Sequence, residues 1–218
     1  MSPASPGKET PARGARRRAA ILEAATAVFL ESGYEGARLE EVIRRSGGSL
    51  ATLYGQFGSK EGLFAAIIAG ICDEIVAGLP DLDGPTPQTP QQTLVAFGRT
   101  YLRLLLTPMS LALYRMVISE SARFPELGRA VFAAGPAAAA DRLAGYLRRE
   151  ARRGGLRVPN PALAARQFLE MVKGDLHVRA LFGAGAAPSA AEIDACVRAA
   201  TRIFLEGVAR RRSAPRRS

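Results

Sequence analysis

The chain has little of the chemistry on which metal centres, disulfide frameworks and most enzymes depend. Its 218 residues include two cysteines, Cys72 and Cys196, a single histidine, His177, and no tryptophan. Two cysteines cannot form a disulfide framework, which fits a reducing cytoplasm, and the lack of a Cys/His cluster argues against zinc or haem. No Ser/His/Asp, Cys/His or paired-carboxylate pattern stands out. The sequence therefore predicts no metal, no cofactor and no enzymatic activity.

Long apolar runs are also missing. The stretch over residues 63–71 is interrupted by Gly70 and is too short to span a bilayer. Residues 1–18 are basic and polar and lead into no apolar segment with a cleavage site, so no secretory signal is predicted. We expect a cytoplasmic protein that does not enter a membrane. Because 48% of its residues are apolar and 23% charged, the chain can bury a real core.

Positive charge is concentrated at the two ends of the chain. Of the formal net charge of +10, residues 1–18 contribute +4 and residues 208–218 contribute +5. Basic tails on a nearly neutral body indicate a polyanion partner, for which phosphate is the usual group. Arginine makes up 27 of the 30 basic residues, which suits bidentate phosphate contacts or reflects the coding composition of the genome. Tails that only aid solubility are the alternative.

Apolar residues recur at helical spacing, and no stretch alternates long enough to form a strand, so the fold class is all-α. A helix from Arg16 is followed by two short helices, at residues 39–45 and 50–56, and by a longer one that runs to about residue 79. A proline-rich loop over residues 80–92 precedes the remaining helices. These are predicted at residues 93–107, 109–123, 125–153 with a break at Gly135-Pro136, 161–182 and 189–210.

Two short helices joined by a glycine-bearing turn, after a longer helix, are typical of a helix-turn-helix that reads DNA. Leu50, Ala51 and Thr52 begin the second short helix and are compact enough to enter a major groove about 12 Å wide. Tyr54 and Lys60 offer a hydroxyl and an ammonium group to phosphate. From the spacing alone, an ordinary helical hairpin is the alternative.

The segment GYEGARLEEVIRRSGGSLATLYGQFGSKEGLF resembles the N-terminal domain of the TetR/AcrR-type bacterial transcriptional regulators. The family pattern has an aromatic after a glycine, an acid-rich second helix, and then Thr-Leu-Tyr, Phe and Ser-Lys-Glu at this spacing. The resemblance covers about residues 16–76 and implies a homodimer on a palindromic double-stranded DNA operator. The DNA-binding residues are predicted to be Arg38, Ser49, Leu50, Ala51, Thr52, Tyr54, Gln56 and Lys60.

Three positions depart from the family pattern. Arg38 stands where the family has threonine or serine, so the second helix lacks its usual N-cap hydroxyl. Ile43 replaces a small alanine, and Gly48 replaces a valine. We expect these changes to repack the turn before the second short helix.

The segment YLRLLLTPMSLALYRMVISESARFPELGRAVF is similar to the effector domains of AefR-like regulators, which implies a ligand pocket and a dimer interface in this half. Large apolar side chains with few polar groups predict an apolar or aromatic small-molecule effector. The pocket candidates, each of which could equally be plain core, are Ile68, Ile71, Tyr101, Met109, Tyr114, Met116, Glu120, Phe132 and Tyr146.

The last two predicted helices each carry an apolar face and alanines that permit close approach, as in a four-helix dimer interface. The predicted interface residues are Phe168, Met171, Val172, Leu176, Ile193, Val197, Ala200, Ile203 and Phe204. Packing within one chain is the alternative. His177 is expected at a helix surface or interface, and Cys72 as a buried inert thiol rather than a redox sensor.

The predicted organisation is a disordered basic arm over residues 1–15, a helix-turn-helix domain over 16–76, an effector-binding and dimerisation domain over 77–210, and a basic tail over 211–218. These features predict a ligand-responsive regulator, a repressor that leaves its operator when the effector binds. The alternatives are a non-specific architectural DNA-binding protein that uses the arginine tails, and a small-molecule carrier with a vestigial DNA domain.

Overall fold

The computed structural model describes residues 11–82 and 89–208, and within these ranges the chain is helical without any strand. The all-α prediction is confirmed. The helices are α1 (Pro11–Gly36), α2 (Leu39–Ser46), α3 (Leu50–Phe57), α4 (Lys60–Gly78), α5 (Pro90–Leu105), α6 (Pro108–Glu120), α7 (Pro125–Phe132), α8 (Ala138–Arg152), α9 (Pro161–Lys173), α10 (Leu176–Phe182) and α11 (Ala190–Val208). A π-helical turn, Ala133–Ala137, joins α7 to α8 where the sequence predicts a break.

The helices form two compact units. The N-terminal unit comprises residues 11–70 and 116–130, and the C-terminal unit comprises residues 71–115 and 131–208. Because the division falls inside α4, α6 and α7, each of these helices carries residues of both units. The predicted boundary at residues 76–77 thus lies later in α4 than the observed one. Residues 116–130, which the sequence assigns to the effector domain, belong to the N-terminal unit.

The core of the N-terminal unit is built on the apolar stripe of α1. The helical spacing predicts Ile21, Leu22, Ala25, Val28 and Phe29 on one face, and of these all but the half-buried Leu22 are buried. The Phe29 ring packs on Phe64 of α4, with ring centroids 5.1 Å apart. Val42 of α2 and Leu53 of α3 are fully buried. This core fixes one face of each short helix and leaves the opposite face exposed.

The start of α1 differs from the prediction. Residues 11–15, predicted as the end of a disordered arm, are helical, while residues 1–10 lie outside the described residues. Arg13, Arg16, Arg17 and Arg18 therefore lie on the helix and not before it. The helix kinks at Gly33, whose φ of 70° favours glycine, and this is the position at which the sequence predicts its end.

The core of the C-terminal unit is formed by α5, α8, α9 and α11. Fully buried side chains include Phe97 of α5, Leu143 of α8 and Phe168 of α9. At Gly98 of α5 an added Cβ would lie 3.1 Å from side-chain atoms of both Val172 and Val197. The missing side chain therefore lets α5 approach α9 and α11 closely.

Two helix ends of this unit depart from the predicted positions. α5 begins at Pro90, earlier than predicted, because Thr89 and Gln92 form a reciprocal capping box before the apolar run. The helix predicted over residues 161–182 is broken into α9 and α10 at Gly174, whose φ is 50°. A Cβ at Gly174 would also meet the Cys196 sulfur at 2.9 Å, so both conformation and space require glycine there.

Within the described ranges, no single helix is both long and apolar enough to cross a membrane. Helices α5 and α6 taken together are long and apolar enough by length and composition alone, and the two helices are bent by 66° relative to each other.

Candidate nucleic-acid interface and effector cavity

The N-terminus of α3 is held by a local hydrogen-bond network. Ser49 is the N-cap, and its Oγ accepts a hydrogen bond from the Thr52 backbone N–H at 3.2 Å. The Ser49 and Thr52 hydroxyl oxygens lie 3.0 Å apart. The Leu53 side chain is fully buried and holds one side of α3 against the core. Both predicted DNA-binding hydroxyls are therefore fixed by the fold at the end of α3 that would meet DNA.

The outer face of α3 carries the predicted base-reading positions. Ala51, Tyr54 and Gln56 are exposed, and Leu50 is half-buried. Nearly half of the Tyr54 surface is accessible. Ala51 and Tyr54 lie on the exposed side of α3 away from the buried Leu53, while Leu50 and Gln56, each three residues from Leu53, flank it on either side.

Arg38 precedes α2 and is exposed. Its backbone is extended and its side chain makes no capping hydrogen bond, so the missing N-cap hydroxyl is confirmed. Glu40 and Glu41 in the first turn suit the helix dipole there. Arg45 of α2 pairs with Glu31 of α1 at 2.8 Å and with Glu41 at 2.6 Å. Hydrogen bonds from Arg44 and Arg45 lower the pKa of Glu41 to about 2.

Lys60 is already engaged within the N-terminal unit. Its Nζ donates a hydrogen bond to the Glu35 carbonyl at 3.1 Å and lies 5.1 Å from the centroid of the Tyr34 ring. Burial lowers its pKa. To contact a phosphate as predicted, the Lys60 ammonium group must either give up its hydrogen bond to the Glu35 carbonyl or keep it and donate a second hydrogen bond to the phosphate.

Two arginines of α1 pack against the turn before α3 and against the end of α3. Gly48 has a φ of 109°, and the Arg17 guanidinium fills the space into which a Cβ would project. Arg18 lies over the Phe57 ring, 4.8 Å from its centroid. Two of the basic residues of α1 thus hold the helix-turn-helix in place.

The C-terminal unit contains a small, mostly apolar cavity. It is lined by Cys72, Ile75, Tyr101, Leu105, Ser110, Leu113, Tyr114, Val131, Gly135 and Pro136. A second, larger and more open cavity is lined by Tyr101, Phe132, Pro136, Ala137, Ala140, Asp141, Arg166, Leu169 and Glu170. Tyr101 and Pro136 belong to both walls.

Three of the predicted pocket residues line these cavities: Tyr101, Tyr114 and Phe132. The cavity walls include none of the other candidates, which are Ile68, Ile71, Met109, Met116, Glu120 and Tyr146. Ile68 is fully buried in the N-terminal unit, to which Met116 and Glu120 also belong, and Met109 is 39% exposed. Tyr146 is buried in the core and lines neither of these two cavities.

Sequence reasoning missed several lining residues although a signal for them exists. Leu105 follows Tyr101 by four positions, and Ser110 precedes Tyr114 by four, so each pair shares a helix face. On α4, Cys72 and Ile75 are three positions apart and also share a helix face, which begins one residue after the predicted Ile71. Burial raises the pKa of the Cys72 thiol, in agreement with the inert thiol that the sequence predicts.

Most of the predicted dimer-interface side chains have little free surface in the single chain, and the dimer interface itself stays a prediction. The structure buries these side chains within the chain's own core: Phe168, Val172, Leu176, Ile193, Val197, Ala200 and Phe204. Met171 is half-buried, and only Ile203 is exposed, at 56%. The most apolar face of each helix packs inside the C-terminal unit. Packing within one chain is the alternative that the helical spacing left open.

His177 is buried in the single chain, at 6% exposure, where the sequence predicts a position at a helix surface or interface. Its ring meets the Tyr114 ring edge-on, with centroids 5.0 Å apart, and its Nε2 has no hydrogen-bond partner in the described chain. Burial, together with the charge of Lys173, lowers its pKa to about 4. No group of three His, Cys, Asp or Glu side chains that could hold a metal ion occurs among the described residues.

A helix-turn-helix with an exposed recognition face, followed by an all-helical unit with internal cavities, defines a DNA-binding transcriptional regulator. Residues 21–67 match the family described as "Bacterial regulatory proteins, tetR family", and residues 92–207 match "AefR-like transcriptional repressor, C-terminal domain". The chain belongs to the TetR family of bacterial transcriptional regulators, which bind DNA and are not enzymes.

Two solved structures resemble nearly the whole chain. The flavonoid-responsive regulator FrrA is 31% identical, with 91% of this chain and 100% of that chain covered and a TM-score of 0.81. A TetR-family regulator from Mesorhizobium loti is 28% identical over 90% of this chain and 98% of that chain, also with a TM-score of 0.81. The transcriptional activator FasR of Mycolicibacterium smegmatis is 35% identical over 82 residues, 34% of this chain and 37% of FasR. The chain thus spans little more than a third of FasR.

Proposed function

We propose that the protein is a dimeric repressor that leaves a palindromic operator when a small apolar or aromatic molecule binds its C-terminal unit. The observation that carries the proposal is the combination of a capped, exposed α3 face in one unit with a mostly apolar cavity in the other. Repression is supported by the AefR-like repressor family that matches residues 92–207. A ligand response is supported by the likeness to FrrA, a flavonoid-responsive regulator.

In the DNA complex, the α3 helices of two protomers lie in successive major grooves, roughly 34–36 Å apart. Leu50, Ala51 and Gln56 lie nearest the bases, since they occupy the exposed or half-buried face of α3. Tyr54 and Lys60 contact phosphate and fix the orientation of the protein on the duplex.

Dimerisation uses the outer faces of the last helices. Ala195, Ala199 and Ile203 are exposed at successive turns of α11 and form a stripe of mostly small residues. On α10, Phe182 is 81% exposed and Val178 is 44% exposed. Small residues permit close helix approach, and exposed large apolar groups gain most from being covered by a second copy.

The switch acts through α4. This helix begins at Lys60 and carries Cys72 and Ile75 in the cavity wall. A ligand that fills the cavity displaces these side chains, and because packed cores move as rigid pieces, the helix shifts as a unit. A coupling free energy of about 1–3 kcal/mol would lower operator affinity about 5- to 150-fold.

A calorimetric titration with flavone, chosen because FrrA responds to flavonoids, tests this function. The dissociation constant is measured for the free protein and for the protein saturated with its selected operator. Linkage requires the operator to weaken flavone binding by the same factor by which flavone weakens operator binding. Equal flavone affinities in the two states would show that flavone occupancy does not control DNA binding.

A further inference from the structure

Helix α10 is short and is weakly fixed by its own sequence. It has seven residues and lies between Gly174 and Gly183, both of which have a positive φ. Asp175 precedes the helix without a capping hydrogen bond from its side chain, and the buried residues of the helix are Leu176 and His177 in its first turn. A helix of two turns is marginal in isolation, so its contacts with other helices decide how firmly it is held.

Two neighbouring residues of α6, Tyr114 and Arg115, hold the two ends of α10. The Tyr114 ring meets the His177 ring edge-on in the first turn of α10, with centroids 5.0 Å apart. In the last turn, Arg115 Nε donates a hydrogen bond to the Leu181 carbonyl at 2.8 Å, and its Nη2 donates one to the Ala180 carbonyl at 2.7 Å. All of these residues belong to the C-terminal unit.

The Arg115 guanidinium group suits the end of a helix. The last carbonyls of a helix carry partial negative charge and lack partners within the helix. Backbone N–H groups after α10 reach the Arg179 carbonyl at 2.9 Å and the Ala180 carbonyl at 3.3 Å. The Leu181 carbonyl lies beyond these two bonds, and Arg115 supplies its donor. Because a guanidinium group is a planar fork of N–H donors, it binds two adjacent carbonyls at once.

The end of α10 that Arg115 holds carries an exposed apolar face. Val178 is 44% exposed and Phe182 is 81% exposed, and they lie one turn apart on the same side of the helix. Among the described residues, no other large apolar side chain is as exposed as Phe182. Since Phe182 directly follows Leu181, the position of its ring depends on the hydrogen bond between Arg115 and the Leu181 carbonyl.

Resting on the dimer of the proposed function, we propose that Arg115 is a positioning residue for dimerisation. It fixes the C-terminal end of α10, so that Val178 and Phe182 present one ordered apolar face to a second copy of the chain. The guanidinium group bonds within its own chain and acts on the partner through Phe182. Without Arg115 the last turn of α10 would have to be ordered when the two copies associate, and that ordering would weaken the dimer.

Sedimentation velocity over a concentration series measures the dimer dissociation constant of the full-length wild type and of Arg115→Met. We expect Arg115→Met to raise this constant about 3- to 30-fold, because the interaction of a cation with a helix C-terminus is lost from both copies of α10. Arg103→Met is the matched control, since Arg103 is exposed in the same unit and has no hydrogen-bond or ion-pair partner among the described residues. It is expected to change the constant by less than about twofold.

A double-mutant cycle with Phe182→Ala shows whether Arg115 acts through Phe182. Phe182→Ala alone is expected to raise the dimer dissociation constant about 10- to 100-fold, because a ring is lost from each copy. If Arg115 positions Phe182, the double variant dissociates about as readily as Phe182→Ala alone. Additive effects would overturn the positioning role, because an arginine that contacts the partner directly or only stabilises the fold contributes independently of the ring.

The same variants separate this inference from the proposed function. If Phe182→Ala weakens the dimer but Arg115→Met behaves like Arg103→Met, the positioning role fails and the proposed dimer face stands. If Phe182→Ala leaves the dimer unchanged, or if the wild type does not dimerise, the proposed dimer face fails and the inference fails with it.

Discussion

The Arg17 side chain packs against the backbone of Gly48, in the space that a Cβ at position 48 would need. The Arg17 Cζ lies 3.5 Å from the position that a Gly48 Cβ would occupy. The positive φ of 109° at Gly48 disfavours any side chain even without that contact. The family pattern has a valine at position 48. In this chain Gly48 leaves that space empty, and the Arg17 side chain of α1 fills it.

We expect Gly48→Ala to lower the free energy of unfolding by about 1–2 kcal/mol, because alanine is strained at this φ and meets Arg17. Gly55→Ala is the matched control, since Gly55 lies in α3 with open space around it. Chemical denaturation measures both. Equal stability of the two variants would contradict the packing of Arg17 over Gly48.

The pKa of His177 makes stability depend on pH. Its native value of about 4 lies below the ordinary value of 6.5, so between these pH values the unfolded state binds more protons. Stability is therefore lost as the pH falls through that window. We expect this residue to account for a loss of about 3 kcal/mol between pH 7 and pH 4.

Urea unfolding at a series of pH values, on the wild type and on His177→Gln, measures the contribution of His177. The variant should show a shallower loss of stability over the acid range. Identical pH profiles would mean that His177 titrates normally in the native state.

At the scale of the helices, α3 and the start of α4 divide base reading from phosphate contact. Lys60→Ala is expected to weaken binding to all DNA sequences alike and to lower the slope of log affinity against log salt by about one. Gln56→Ala is expected to change the preferred sequence instead. Lys173→Ala is the matched control, because Lys173 pairs with Glu170 in the other unit. An unchanged salt slope for Lys60→Ala would show that Lys60 remains on the Glu35 carbonyl in the complex.

The exposed face of α11 is expected to form the dimer interface. Ile203→Glu should raise the dimer dissociation constant about 5- to 30-fold, because it places a charge where a partner would cover an apolar group. Ile118→Glu is the control, since Ile118 is equally apolar and 62% exposed but lies on α6 in the N-terminal unit. Sedimentation velocity over a concentration series distinguishes the two variants, and equal behaviour would exclude this face.

Helical spacing predicted the type and order of nearly every element because apolar stripes such as that of α1 recur every 3.6 residues. It could not tell which partner an apolar stripe meets, so Phe168 and Val197 were assigned to a dimer and lie in the core. It also missed the break at Gly174, since one glycine in an apolar run is compatible with a helix until the Cys196 contact is known. The cavity was predicted only at Tyr101, Tyr114 and Phe132, because cavity walls depend on how several helices pack.

At the scale of the whole molecule, three helices carry residues of both units. α4 holds Lys60 at its start and Cys72 of the cavity wall further along. α7 contains Val131 of the same wall, while most of that helix belongs to the N-terminal unit. Under the proposed function, a ligand in the cavity would act on helices that also carry residues of the unit with α3.

The central claim is that α3 reads a specific palindromic site, and selection from random duplex DNA followed by sequencing tests it most directly. The wild type is expected to enrich an inverted repeat whose half-site centres lie about one helical turn apart. Ala51→Glu, which places a carboxylate on the exposed face of α3, is expected to lose that enrichment. If the wild type enriched no motif, or if Ala51→Glu enriched the same motif equally well, specific operator recognition by α3 would be contradicted.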